Sequence, residues 1–242
     1  MPGIYKDEGI VLKTIKLGEA DRIVTLFTRG NGKVRAVAKG IRKTKSRFGA
    51  RLEPFTRADL VIYKGRNLDT ITSADILTSF DEIRVDYEKL RAGAALLDIV
   101  EKITPERERA FPVYALLVGG LRALAEGRPN VVPSFLVKLL SISGYHPQLN
   151  SCAGCDEDAV LGAFSPALGG AICEMCWHEA GDSIRMGADE IKLMAHLLGS
   201  DFGQTGDMRT TLVMTQALRS YAEYHLERPL KTLHALHTLT AS

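Results

Sequence analysis

The chain opens on short alternating runs and later changes period. Gly9 to Thr14 and Asp21 to Thr28 are rich in β-branched residues and are joined near Gly18. Asn31-Gly32 is a tight-turn signal, since glycine accepts positive φ there, and it leads into a third run from Lys33 to Lys39. Thr56 to Tyr63 and Leu68 to Leu77 flank Gly65-Arg66-Asn67 as two more strands. Five strands in about 80 residues predict a small barrel, with the five-stranded OB type as the candidate and an SH3-like barrel as the alternative. From Asp81 the spacing becomes helical. Tyr87, Leu90, Ala94, Leu97 and Val100 mark a helix closed by Pro105. Pro112 opens a second, with Leu116, Leu117, Leu121 and Leu124, and Pro133-Ser134 a third, stopped by Gly144 and Pro147. After Gly187, Ile191 to Leu198 and Leu212 to Leu226 read as helices, the latter ended by Pro229.

These elements predict an α+β multidomain chain. An N-terminal OB-fold β-barrel over 1–80 is followed by the first part of a helical domain over 81–150. A cysteine-rich insertion spans 151–186, and the helical domain resumes over 187–242.

Charge changes the picture first. The chain nets only +2 over 242 residues. Between Arg29 and Arg66, however, twelve Lys and Arg stand against only Glu53 and Asp59. A charge separated this strongly attracts polyanions. Along the third strand, alternation puts Val34, Ala36 and Ala38 on one face and Lys33, Arg35, Val37 and Lys39 on the other. Gly40 breaks the strand, and Arg42, Lys43, Lys45, Arg47 and Arg51 follow on a loop with Phe48 among them. These cations suit a nucleic-acid backbone. Phe48 has two readings, a ring stacked on a base or a ring tucked into the core.

The cysteines are the sharpest chemical signal. Cys152-Ala-Gly-Cys155 and Cys173-Glu-Met-Cys176 are two C-x₂-C knuckles separated by 17 residues. Each pair of thiolates grips one side of a tetrahedral ion, and together they close a four-sulfur shell with no open position, as in structural zinc sites. The Gly-bearing segment between them, Asp156 to Ile172, is expected to depend on the metal for its folding. His178, two residues past Cys176, has two readings, a substitute ligand or a surface histidine, whereas His225, His234 and His237 have no partner at ligand spacing and read as surface or core residues.

Exclusions follow. There is no G-x₄-G-K-[ST] loop, no H-E-x-x-H and no G-x-S-x-G elbow, so the sequence predicts no enzyme. The first residues, MPGIYKDEGI, predict no secretory signal, and no apolar run approaches the roughly 18 residues of a membrane span.

The motifs EGIVLKT (Glu8 to Thr14), GEADRIVTLFT (Gly18 to Thr28), GKVRAVAKG (Gly32 to Gly40) and KSRFGARLEPF (Lys45 to Phe55) resemble those of the RecO family of bacterial DNA repair and recombination mediators. The resemblance continues through FLVKLLSISGYHPQLNSCAGC (Phe135 to Cys155) and RPLKTL (Arg228 to Leu233). It implies binding of single- and double-stranded DNA, annealing of complementary strands, and loading of recombinase onto strands coated by single-strand-binding protein. It implies two protein partners, RecR and the acidic C-terminal tail of single-strand-binding protein, and a cytoplasmic, nucleoid-associated location away from any membrane. The DNA-contact role falls on Lys33, Arg35, Lys39, Arg42, Lys43, Lys45, Arg47 and Arg51, with Phe48 as the stacking candidate. The metal role falls on Cys152, Cys155, Cys173 and Cys176, one structural zinc per chain. A zinc-containing OB-fold protein acting on RNA in translation or transcription is the competing reading.

Overall fold

The computed structural model describes residues 3–44, 46, 48–204 and 208–230. Contacts divide it into two compact units, Met1–Ala125 and Glu126–Ser242.

In the first unit, β1 (Ile4–Leu17), β2 (Asp21–Thr28), β3 (Gly32–Ala38), β4 (Arg57–Tyr63) and β5 (Asp69–Thr78) close into a barrel of order β1-β2-β3-β5-β4. β1 serves both sides of the closure. Its first half pairs with β4 (Ile4 with Tyr63 through Ile10 with Arg57), and its second half pairs with β2. An irregularity between Val11 and Lys13 bends the strand where it changes partner. β3 pairs with β5 in parallel at Ala36–Asp69 and Val37–Thr70. This is the OB-fold barrel that the strand count predicts.

Alternation fills the barrel. Val11, Val24, Leu26, Ala36, Ala38, Leu60, Ile62 and Ile71 point inward and are buried. Three helices accompany the barrel, α1 (Asp81–Val85), α2 (Tyr87–Ile103) and α3 (Phe111–Ala125). Asp86 starts α2 by accepting hydrogen bonds from the N–H groups of Glu88 and Lys89 at 2.9 and 3.0 Å. The α2–α3 connection docks on the start of β3. Arg107 N–H donates to the Lys33 carbonyl at 2.8 Å, and its guanidinium meets the fully buried Asp69 carboxylate at 2.9 Å. Gly32 is required there. Its φ is +63°, and a Cβ would fall 1.8 Å from the Glu108 carbonyl oxygen.

In the second unit, α4 (Val131–Ile142), α6 (Ala188–Gly199) and α7 (Leu212–Leu226) pack together. Between α4 and α6 lies a three-stranded sheet of order β7-β6-β8, from β6 (Leu161–Ser165), β7 (Gly170–Cys173) and β8 (Ile184–Arg185), with the short α5 (Glu174–Glu179) after β7. The helical boundaries match their sequence signals within a few residues. The compact units nevertheless share out the helices otherwise than the sequence-read domains do, with α1–α3 in the barrel's unit and α4 in the other.

Candidate nucleic-acid interface and metal centre

β3 carries the alternation that the sequence predicts. Val34, Ala36 and Ala38 are buried, Lys33 and Val37 half-buried, and Arg35 and Lys39 exposed. Its two ends differ in what they offer. Lys33 lies at the docked end, where its Nζ donates to the Glu101 carbonyl near the C-terminus of α2, a position that favours a cation. Arg35 stands 3.9 Å from the Glu106 carboxylate. Lys33 is thereby held on the helical part of the unit, while Arg35 stays exposed with a carboxylate nearby. The cause is a tertiary contact from residues about 70 positions away.

The other end lies about 20 Å along the strand at 3.3 Å per residue. There Gly40 N–H donates to Asp21 Oδ1 at 2.7 Å, Arg42 N–H to the Ala20 carbonyl at 3.0 Å, and the Arg42 guanidinium to the Gly18 carbonyl at 3.0 Å. These bonds hold the start of the β3–β4 loop against the β1–β2 turn. Lys39, Arg42, Lys43 and Arg51 are exposed, and no ion pair to Lys39, Arg42 or Lys43 is present among the described residues. Lys45 and Arg47 lie outside the described residues.

Phe48 corrects the sequence reading. Its ring is 1% exposed and packs in the barrel core with Val11, Leu26, Ile41 and Leu52. The loop doubles back through a short 3₁₀ turn, Gly49–Leu52, which plugs the barrel with Phe48 and Leu52. The ring is closed to bases. The outward row Ile15–Ile23–Val37 across β1, β2 and β3 is aliphatic. Lys13, opposite Thr25 and through it Arg35, adds an exposed cation to this side. Sequence reasoning passed over Lys13, although the alternation of β1 carries the signal.

A groove of about 270 Å³ runs between α3 and the barrel, with Arg29, Arg57 and Arg122 around Phe111, Ala115 and Val118. Glu8 sits at its base, bonded by Arg57 Nε at 2.6 Å and by the Tyr114 hydroxyl. Burial pushes the Glu8 carboxyl up. The hydrogen bonds from Arg57 and Tyr114 and the charges of Arg57 and Arg29 outweigh it and hold the group below its ordinary value.

In the second unit the four cysteine Sγ atoms lie within 4.8 Å of one another, with Cys155 and Cys173 at 4.0 Å. Four sulfurs about 2.3 Å from a central ion stand about 3.8 Å apart, so the set fits a tetrahedral thiolate site after small adjustment. β6 and β7 bring the knuckles together, since Leu161 pairs with Cys173. This hairpin is absent from the sequence reading. Its core of Cys152, Ala163, Ile172 and Cys173 is buried, so the segment is ordered by packing as well as by its thiols. Gly154 is needed because a Cβ there would meet Cys176 Sγ at 2.8 Å. Burial raises the Cys152 thiol, but N–H groups of Cys173, Cys155 and Gly154 aimed at its sulfur bring it down to about 6. Cys176 is raised, first because its thiol shares a hydrogen bond with Cys152, which keeps the proton on it, and then by burial.

Comparison with known proteins adds the family. The profile "Recombination protein O N terminal" matches residues 1–80, and "Recombination protein O C terminal" matches residues 84–234. The chain belongs to the RecO family. Relatives named DNA repair protein RecO include that of Nocardioides sp., 42% identical over 95% of this chain and 98% of its own length. The RecO of Frankia casuarinae is 44% identical over 95% of this chain and 97% of its own length. That of Thermobifida fusca is 41% identical, again over 95% and 97%. The two RecO profiles meet between residues 80 and 84, at the end of the barrel and the start of α1. Among the described residues no helix is long and apolar enough to cross a membrane.

Proposed function

We propose that this RecO-family chain is a DNA-binding and strand-annealing protein of DNA repair and homologous recombination. It acts by binding and not by turnover, and it helps load recombinase on single strands coated by single-strand-binding protein. The observation that carries the reading is the exposed basic end of the OB barrel, where Arg42 is bonded to the β1–β2 turn and Lys39 and Lys43 flank it, with Arg51 exposed on the same loop. OB folds take oligonucleotides on the face of strands 2 and 3 and on the loops between strands 1 and 2 and strands 4 and 5, and here the basic loop is bonded to the β1–β2 turn. Lys45 and Arg47 belong to the same basic sequence stretch and share the proposed DNA-contact role. Lys33, held on α2, and Arg35, with Glu106 nearby, contribute to the field more than to direct contact.

The burial of Phe48 and the aliphatic outer row favour phosphate contacts over base stacking. Phosphate contacts carry no sequence information, which suits a protein that must handle any pair of complementary strands. Annealing brings two polyanions together, and a concentrated basic surface lowers their repulsion.

The four-cysteine site is assigned one structural zinc per chain, since the shell leaves no position for substrate. RecR and the acidic tail of single-strand-binding protein are the proposed partners. For the tail, the groove of Arg29, Arg57 and Arg122 around Phe111 has the required chemistry, apolar walls with a cationic rim. Arg122→Glu is expected to weaken capture of a tail peptide in fluorescence anisotropy, and unchanged binding would remove the groove from consideration. A cytoplasmic, nucleoid-associated location follows from the DNA role. The test of the function is annealing of complementary strands by purified protein without nucleotide. Faster annealing than in buffer is expected, and no acceleration would overturn it.

A further inference from the structure

The knuckle region has a surface that the proposed zinc does not explain. From Ser151 to Ser183 the chain carries Asp156, Glu157, Asp158, Glu174, Glu179 and Asp182 and no Lys or Arg. All six carboxylates are exposed, and none forms an ion pair among the described residues. Four thiolates on a divalent ion add further negative charge. Apolar side chains stand among these acids. Val160 is 85% exposed, Met175 81% and Leu168 45%. The pairing of Leu161 with Cys173 sets Val160 beside Glu174 and Met175 at the open end of the hairpin. Leu168 reaches back to the first knuckle, its Cδ1 3.6 Å from where a Gly154 Cβ would stand. Arg185, stacked on the Trp177 ring at 5.0 Å, is a cation beside them, and the six acids outnumber it. Large apolar side chains left in water among such acids mark a docking surface.

DNA is excluded as the occupant, because its phosphates meet repulsion at every one of these carboxylates. The complementary surface is on this chain itself, at the barrel end where Lys39, Arg42 and Lys43 are exposed and form no ion pair among the described residues. We propose that the acidic knuckle face of one molecule docks on the basic barrel end of a second copy, and that DNA competes for the same cations. Such a contact is heterologous, head to tail, so its electrostatics weaken with salt. Its consequence is regulatory. Free protein masks its DNA surface in trans, and DNA releases it.

The proposal shares its basic surface with the DNA reading, so the experiment measures association without DNA first. Sedimentation velocity of the zinc-loaded full chain is run at low and at high salt. A faster-sedimenting species at low salt is expected, lost at high salt and lost on adding a single-stranded oligonucleotide. Asp158→Lys with Glu179→Lys, and separately Val160→Ser with Met175→Ser, are expected to abolish that species while oligonucleotide binding is kept. Three results overturn the proposal. These are a wild type that is monomeric at low salt, association that survives both double variants, and association that persists under saturating oligonucleotide. A chain that associates as expected but shows no oligonucleotide binding would instead sink the DNA reading.

Discussion

Phe48 shows how one residue can be read two ways until its surroundings are known. With its ring 1% exposed in the barrel core, Phe48→Ala is expected to cost about 3–5 kcal/mol and lower the melting temperature. The salt dependence of DNA binding by the folded fraction should not change. A variant with wild-type stability and weakened binding would return the ring to the DNA surface. Glu8 and Asp69 make a pH prediction. For Asp69, burial raises the carboxyl, but the Arg107 and Tyr5 hydrogen bonds and the Gly65 N–H hold it below its ordinary value, as the groups around Glu8 do there. A depressed folded-state pKa contributes stability above the unfolded value. That stability is lost as pH falls through the folded value. Thermal melting should therefore be flat near neutral pH and decline below the ordinary carboxylate range near pH 4. Glu8→Gln should be less stable at neutral pH, with a shallower acid decline. An unchanged profile would show that the Arg57 pairing contributes nothing.

At the scale of elements, the strands and helices with strong periodicity were legible and the cysteine hairpin was not. Asn31-Gly32, the alternation of β3 and the Pro-opened helices are local signals, and each marks an element of the structure. β1 runs from Ile4 to Leu17, well beyond Gly9 to Thr14, because its charged ends pair on the outside of a closed barrel. β6 and β7 are short and rich in Ala and Gly, with both faces buried, so neither a period of two nor β-branching announces them. The cysteine spacing was informative because ligation chemistry fixes it. Replacing Cys173 and Cys176 with Ser is expected to release the proposed zinc and loosen the hairpin, read by elemental analysis and hydrogen exchange over 150–180. Gly154→Ala should weaken metal retention for a steric reason, the contact with Cys176 Sγ. Metal-free wild-type protein from a reducing, chelator-free preparation would contradict the assignment.

At the scale of the whole molecule, the sequence separates charge, and the structure sorts which charges are available. The cations at the docked end of β3 were not separable from those at the exposed end by sequence. Their partners, Glu101 and Glu106, arrive only when the α2–α3 connection folds against Gly32. What remains is a basic barrel end braced on the β1–β2 turn. The direct test is the salt dependence of single-strand binding, with annealing measured beside it, for wild type and for Arg42, Lys43, Lys45 and Arg47 all changed to Ala. Each phosphate contact contributes about −0.7 to the log–log slope on a single strand, so the variant's slope should flatten by up to roughly 3 units. Nucleotide-free annealing should be lost with it. A folded variant that keeps the full wild-type slope and still anneals would show that this basic stretch is a solvated surface and that DNA binds elsewhere.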